Sequence, residues 1–347
     1  MAPARALLAA LVLVAAAPAA ADSVGDFYRG KQITMGIPSS PGGDYDLRAR
    51  LLSRHMGKHI PGNPTLVPKN MPAGVGLEAM NWLYNIAPRD GTAIEIAIAT
   101  MVSNQAMGGQ GVQFDAAKFI WLGNTTDSPD VVTSWYTTGI KTVEDDKQKQ
   151  LVVGAPGTAT PSAYYPLMMN ALLGTKFKII TGYPGGNDVN FAMERGEVGG
   201  RGSNSWASWK ATKPDWLKEG KIIQLVQIGL KKAADLPDVP LLMDLGKNAH
   251  DRAMLRFISA GTAFSRAFVT TPDVPADRVA ALRKAFDDTM TDPDFRAETD
   301  KINMDIAPST GPEVQKIVDD LIATPKDVVM ATKAILDKVG EQEKLKK

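Results

Sequence analysis

The sequence has no cysteine, only three histidines, 7% aromatic residues and no excess of either charge. Without cysteine there are no disulfide staples, no thiol nucleophile and no thiolate metal site. A chain of 347 residues does not depend on such staples, because roughly 300 residues bury about three quarters of the surface that their unfolded chain exposes. The scarcity of histidine narrows metal chemistry further. His55 and His59 stand four apart, a ligand spacing on a helix, but no glutamate lies between them as the H-E-x-x-H signature requires, and His250 is remote in sequence. The pair reads as a solvent-facing feature of a helix, and neither a metal nor a cofactor is expected. No G-x-S-x-G elbow and no phosphate-binding P-loop occurs, and no nucleophile can be paired with a base. Asp127 and Asp130 flank Ser128-Pro129 and read as turn formers rather than as a catalytic pair. These absences argue together against an enzyme.

Charge excludes two further classes. With 39 basic and 38 acidic residues the chain offers no clustered basic surface to nucleic acid or to an anionic membrane. A bilayer span takes about 20 apolar residues, and no run of that length is present. The longest apolar stretch, Ala6 to Ala17, is preceded by Arg5 and followed by the small residues Pro18 to Ala21. That is the layout of a secretory signal peptide cut near Ala21, so residues 1–21 are expected to be removed and the rest exported in soluble form.

From Gln32 onward, short β-rich apolar runs alternate with helix-period segments, the pattern of an α/β protein. Strands are predicted at Gln32 to Ile37, Thr65 to Lys69, Ala93 to Ala99, Val131 to Trp135, Leu151 to Ala155, Phe177 to Thr181, Ile222 to Ile228 and Phe264 to Thr270. After Thr270 only helices are expected, at about Pro275 to Met290, Pro312 to Ala323 and Lys326 to Val339, before a frayed lysine-rich end. The length implies two domains, and no flexible linker separates them. The chain is therefore expected to cross between them through ordered segments near Asn124 to Trp135 and Phe257 to Phe264, making the second domain an insertion in the first.

Three strand-to-helix turns carry the chemistry. Pro38-Ser39-Ser40-Pro41-Gly42-Gly43-Asp44-Tyr45-Asp46 joins the first strand to a helix, and its two glycines let main-chain N–H groups face an anion. Ala155-Pro156-Gly157-Thr158-Ala159-Thr160-Pro161-Ser162 offers hydroxyls and a bare helix start, and Thr181-Gly182-Tyr183-Pro184-Gly185-Gly186-Asn187-Asp188 adds a tyrosine. The alternative reading is local in each case: Thr160 or Ser162, Asn187 or Asp188, and Asp46 serve as helix caps. A fourth stretch, Arg201 to Trp209, is rich in amide, hydroxyl and indole groups. There Arg201 suits a distal carboxylate and Trp206 a pocket wall, unless Arg201 is paired with Glu194 or Glu197 and the tryptophans are core.

In this order of motifs the chain resembles the extracytoplasmic solute receptors of the tripartite tricarboxylate transporter type, the Bug receptors. Ile33 to Asp46 resembles the strand and V-P-F-x-P-G-G-x-x-D loop of that family, and Asn70 to Gly76 its N-x-P-G-A-G-G segment. Pro88-Arg89-Asp90-Gly91, Tyr183-Pro184-Gly185-Gly186, Leu236-Pro237-Asp238-Val239-Pro240 and Asp292-Pro293 resemble its later motifs. The resemblance implies a two-lobed, type II periplasmic binding protein fold. Each lobe is a mixed β-sheet flanked by helices, with residues 22–125 and 258–347 in lobe 1 and residues 126–257 in lobe 2. It implies a small carboxylate in the interlobe cleft, held by Ser39, Gly42, Gly43 and Asp46 on one side and by Thr158, Thr160, Ser162, Tyr183 and Gly185 on the other; Ser40 beside the first set, and Arg201 and Trp206 at the distal end, are added from the residues themselves. The implied protein is a periplasmic monomer that delivers its ligand to integral-membrane transporter subunits. A ligand-sensing partner of a membrane signalling protein, or an exported hydrolase or lyase with the same anion pocket, are the alternatives. Departures from the family pattern concern the ligand: Ser39 and Ser40 replace an aromatic and a proline, and Gly199-Gly200 stand where an acid often follows G-x-V.

Overall fold

The computed structural model describes residues 24–344, so the expected signal peptide lies outside the described residues. Eleven strands form two mixed sheets. The first contains β1 (Gln32–Ile37), β2 (Thr65–Asn70), β3 (Ala93–Ile96) and β4 (Ile120–Asn124). The second contains β5 (Asp130–Trp135), β6 (Val152–Ala155), β7 (Lys178–Thr181), β8 (Gly200–Ser205) and β9 (Ile222–Ile228). Two late strands, β10 (Ala267–Thr270) and β11 (Ser309–Thr310), return to the first sheet. The orders are β11-β4-β10-β3-β1-β2 and β7-β6-β8-β5-β9.

In the first sheet β1 runs parallel to β2 and β3, while β10 lies antiparallel between β3 and β4. In the second, β6 is parallel to β7 and β8, and β5 is antiparallel to β8 and β9. The chain passes from the first sheet to the second over residues 125–129 and returns over residues 229–266. Ile33, Met35 and Ile37 of β1 are fully covered, as the strand's apolar residues and flanking helices require.

Three expectations are corrected. β8, with the sequence Gly-Arg-Gly-Ser-Asn-Ser, escaped prediction because its residues are small and polar, yet it is central in the second sheet and almost entirely buried. The segment after Thr270 is not wholly helical, since Ser309 and Thr310 pair with Asn124 and Gly123. Phe264 belongs to a short 3-10 turn that precedes β10, not to the strand. The last helix spans Lys326–Lys344. It lies against the helices Pro161–Leu173 and Ala249–Ser259, with Val328, Val329 and Leu336 in the same apolar cluster as Tyr164, Leu167 and Met168. Helix Gly311–Ile322 packs on β4 of the first sheet instead.

His55 and His59 are not solvent-facing alone. Their Nε2 atoms meet Glu298 at 2.7 Å and Asp292 at 2.9 Å, so the pair fastens the Asp44–His55 region to the helix Pro293–Lys301 that Asp292 caps.

Glu95, in β3, is fully buried, and neither carboxyl oxygen has a hydrogen-bond partner within the protein. Burial pushes its carboxyl well above the ordinary 4.5. The folded state therefore keeps a proton that the unfolded chain releases above pH 4.5, so this group lowers stability as pH rises from there, by about 1.4 kcal/mol per pH unit until its folded-state value is reached. Glu95→Gln is expected to melt higher than the parent at pH 8 and to converge with it near pH 4. Parallel melting curves at every pH would show that Glu95 finds a partner in solution.

Candidate functional site

The carboxyl end of β1 leads into Pro38–Gly43, and the carboxyl ends of β6 and β7 lead into the second and third turns, so all three face one cleft between the sheets. The cleft encloses a cavity of about 120 Å³. A single water needs about 10–15 Å³ by the same measure, so the space has room for a molecule the size of a small organic acid.

Three helices begin at this cavity: Asp44–His55 after Gly43, Pro161–Leu173 after Thr160, and Gly186–Glu194 after Gly185. None of the three receives a side-chain cap. Starts elsewhere are of both kinds: Thr142 caps Val143–Gln148, Asn248 caps Ala249–Ser259 and Asp292 caps Pro293–Lys301, whereas Leu77–Asn85 and Ala276–Thr291 begin without a side-chain cap. Each uncapped start leaves N–H groups and the positive end of the helix dipole turned to the cavity. Thr160 occupies the cap position, but its hydroxyl donates to the Gly157 carbonyl at 2.6 Å, and Ser162 donates to the Ser203 carbonyl at 3.1 Å.

Arg201 adds a formal charge. Its guanidinium donates to Asn190 at 3.1 Å and lies 5.6 Å from the Trp209 ring, and its Nε has no acceptor within the protein. Burial pulls it down to about 10, still charged at neutral pH. It is free of the acids considered from sequence, because Glu197 pairs with Arg195 and Glu194 with Lys213. The fit against Gly186 is tight: a Cβ there would stand 2.0 Å from Arg201 Nη2. A cation laid against a helix N-terminus is repelled unless an anion joins them.

Beneath the cavity lies a buried charge network. Asp44 accepts from Arg48 at 3.0 Å and from Arg266, whose guanidinium also donates to Ser265 and stacks 4.4 Å from the Tyr45 ring. Burial alone would raise the Asp44 carboxyl, but Arg48 and Arg266 hold it below the usual carboxylate range. Burial would likewise lower Arg266, and its neighbours Tyr45, Asp44 and Asp130 reverse the shift. Asp130 is raised by burial, against the pull of Arg266 and the bond from Ser203. Arg48, Arg201 and Arg266 thus outnumber Asp44 and Asp130 by one.

Of the sequence-predicted residues, Ser39, Ser40, Gly42, Gly43, Thr160, Ser162, Gly185 and Arg201 lie in the cavity wall. Asp46, Thr158, Tyr183 and Trp206 are not among the wall residues. Asp46 is spent on its own loop, accepting from the Gly42 N–H at 3.0 Å, from Arg50 at 2.9 Å and from Asn70 at 2.9 Å. Thr158 is exposed, and Tyr183 packs on the Val131–Trp209 cluster. Trp206 donates to Asp235 at 2.9 Å and borders a separate, open groove with Lys210 and Lys232. Asp44, Tyr45, Asp130, Asn204, Ser205 and Arg266 join the wall without having been singled out. Asp130 is no turn former but the buried first residue of β5, whereas Asp127 pairs with Lys231 at 2.7 Å.

The two sides of the cleft touch around the cavity. Ser40 donates to Asp188 at 3.4 Å, Thr100 to the Ala159 carbonyl at 3.2 Å and Tyr164 to Asn104. On the opposite side Lys210 bridges Asp235 and Asp305.

Two mixed sheets with a cavity at their facing turns match solved structures over nearly their whole length. The periplasmic binding protein BugD superposes with a TM-score of 0.69 at 17% identity, over 89% of this chain and 98% of that one. The fold is that of the periplasmic binding proteins. The same binding-protein fold is seen in MatC (Rpa3494) from Rhodopseudomonas palustris with bound malate, at a TM-score of 0.67 and 18% identity over 86% of this chain and 99% of that one. It recurs in R. palustris Rpa4515 with adipate, at 0.67 and 17% over 88% and 98%. No protein-family model matches the sequence, and no curated protein matches it. Among the described residues no helix is long and apolar enough to cross a membrane.

Proposed function

We propose that the protein is an exported solute receptor of the tripartite tricarboxylate type, a Bug-like receptor that captures a small carboxylate and hands it to membrane transporter subunits. The observation that carries this reading is the meeting of three uncapped helix N-termini and one unpaired arginine at a single small cavity. Each N–H or guanidinium bond to a carboxylate contributes about 1.5–3 kcal/mol, and the surplus positive charge beneath the cavity favours an anion over a neutral solute. The wall holds no histidine, lysine or cysteine, and its one hydroxyl–carboxylate pair, Ser203 with Asp130, lacks a third group to orient it, which supports binding without chemistry. Malate in MatC and adipate in Rpa4515 are ligands of the proposed class.

In this reading residues 22–125 and 258–347 make the first lobe and residues 126–257 the second, with the last helix lying across onto the second. The periplasm is the proposed location, after removal of residues 1–21, and the working form is a monomer. The lobes close on the ligand about the segments 125–129 and 229–266, and the Ser40–Asp188 and Thr100–Ala159 contacts belong to the closed form.

A melting-temperature screen of mono-, di- and tricarboxylates against a neutral sugar tests the reading. An acid present at 100 times its dissociation constant should add about 2.7 kcal/mol of stability. A melt raised by the sugar and by none of the acids would refute it.

A further inference from the structure

Four polar side-chain atoms in the cavity wall have no hydrogen-bond partner within the protein: Asp130 Oδ1, Arg201 Nε, Asn204 Nδ2 and Ser205 Oγ. Asp130, Asn204 and Ser205 are all more than nine-tenths buried. Buried polar groups are ordinarily satisfied, so a cluster of orphans around one cavity describes the complement of what enters it. Arg201 and Asn204 are donors, and with the helix starts they meet a carboxylate. Asp130 asks for something different. Its Oδ2 already accepts from Ser203, and its Oδ1, with no donor in the protein, is an acceptor to which a ligand can bring a hydrogen.

We infer that the ligand of this cavity is a carboxylate that also carries a hydrogen-donating group, a hydroxyl or an ammonium, and that Asp130 is the residue that selects for it. The inference rests on the receptor reading and adds the chemistry of the ligand's second pole. A plain dicarboxylate sets its own oxygen lone pairs against Asp130 Oδ1. A hydroxy acid or an amino acid turns an O–H or N–H to the same atom, leaving its carboxylate for Arg201 and the helix starts. Sites built to hydrogen-bond a ligand group reject analogues that lack it, because the protein atom is then left unpaired. The flanking residues support the assignment: Asp130 opens β5 opposite Ser205 of β8, and Arg201, Ser203, Asn204 and Ser205 of β8 all belong to the cavity wall.

Titration calorimetry of the full exported chain with two matched series, propionate, lactate and alanine, and succinate, malate and aspartate, tests the inference. The donor-bearing members of at least one series are expected to bind about ten- to a hundredfold more tightly than the plain acid, the range of a hydrogen bond to a charged group. In Asp130→Asn, Ser203 holds the amide oxygen and the amide N–H₂ faces the ligand. The advantage of the amino acid over the plain acid should then be lost or reversed, while the melting temperature without ligand reports whether the variant is folded. Plain acids that bind the parent as tightly as their donor-bearing partners would overturn the inference while leaving the receptor reading intact. So would an unchanged order of preference in a folded Asp130→Asn. Binding by none of the six acids would overturn the inference, and the receptor reading would then be decided by the wider screen of acids against a neutral sugar.

Discussion

Arg266→Met is expected to destabilise the protein by about 3–5 kcal/mol, the usual cost of stripping one partner from a buried ionic network. The residue is 4% exposed, donates to Asp44 and Ser265, and acts on Asp130 more strongly than Arg201 does. Methionine fills much of the volume and supplies none of the charge. Asp44 then keeps Arg48 alone, and Asp130 keeps Arg201. Denaturant melts of the parent and variant give the loss directly. The double variant Asp44→Asn/Arg266→Met should lose less than the sum of the single changes, since each removes a charge that the other needs. Additive losses would mean that Arg266 acts through packing on Tyr45 and not through charge.

Gly186→Ala is expected to separate stability from binding. Alanine is the better helix former, by up to about 1 kcal/mol within a helix, and the atom its Cβ would strike is the end of a flexible side chain, Arg201 Nη2. The fold should hold and Arg201 should swing away. Without the guanidinium at the helix start, affinity for the best acid found in the screen should fall at least tenfold, about 1.4 kcal/mol. Calorimetry on the variant checks it. Unchanged affinity with an unchanged melt would show that Arg201 is a wall residue that takes no part in holding the ligand.

What was legible in the sequence follows from the range of the interactions concerned. Strands made of β-branched and apolar runs, such as Gln32–Ile37 and Ile222–Ile228, were read with their bounds, because their signal is local. The three turns were legible because glycine, proline and hydroxyl residues mark a helix start within a few positions. β8 was not, since a strand of Gly, Arg, Ser and Asn is buried only by virtue of its place between β6 and β5. Trp206 was misplaced for a related reason. It begins a helix at the end of β8 and turns to Asp235, while Arg201, Ser203, Asn204 and Ser205 within the strand line the cavity. Asp44 and Arg266 meet although 222 positions separate them, and Asp130 and Ser203 although 73 do. No window of sequence contains such a pair, so the floor of the site emerges only with the fold.

The position of β10 bears on how the molecule comes into being. Its four residues, 267–270, lie between β3 and β4, whose own residues, 93–96 and 120–124, come far earlier in the chain. Until that late strand is available, the first sheet has a missing rung at its middle, with backbone groups of β3 and β4 left open on facing edges. The second sheet has no such dependence, as its five strands fall within one unbroken stretch of chain, residues 130–228. A growing or threaded chain can therefore complete the second sheet early and is held back from completing the first until its final quarter arrives, so that docking of β10 carries a long loop closure that no strand pair of the second sheet requires.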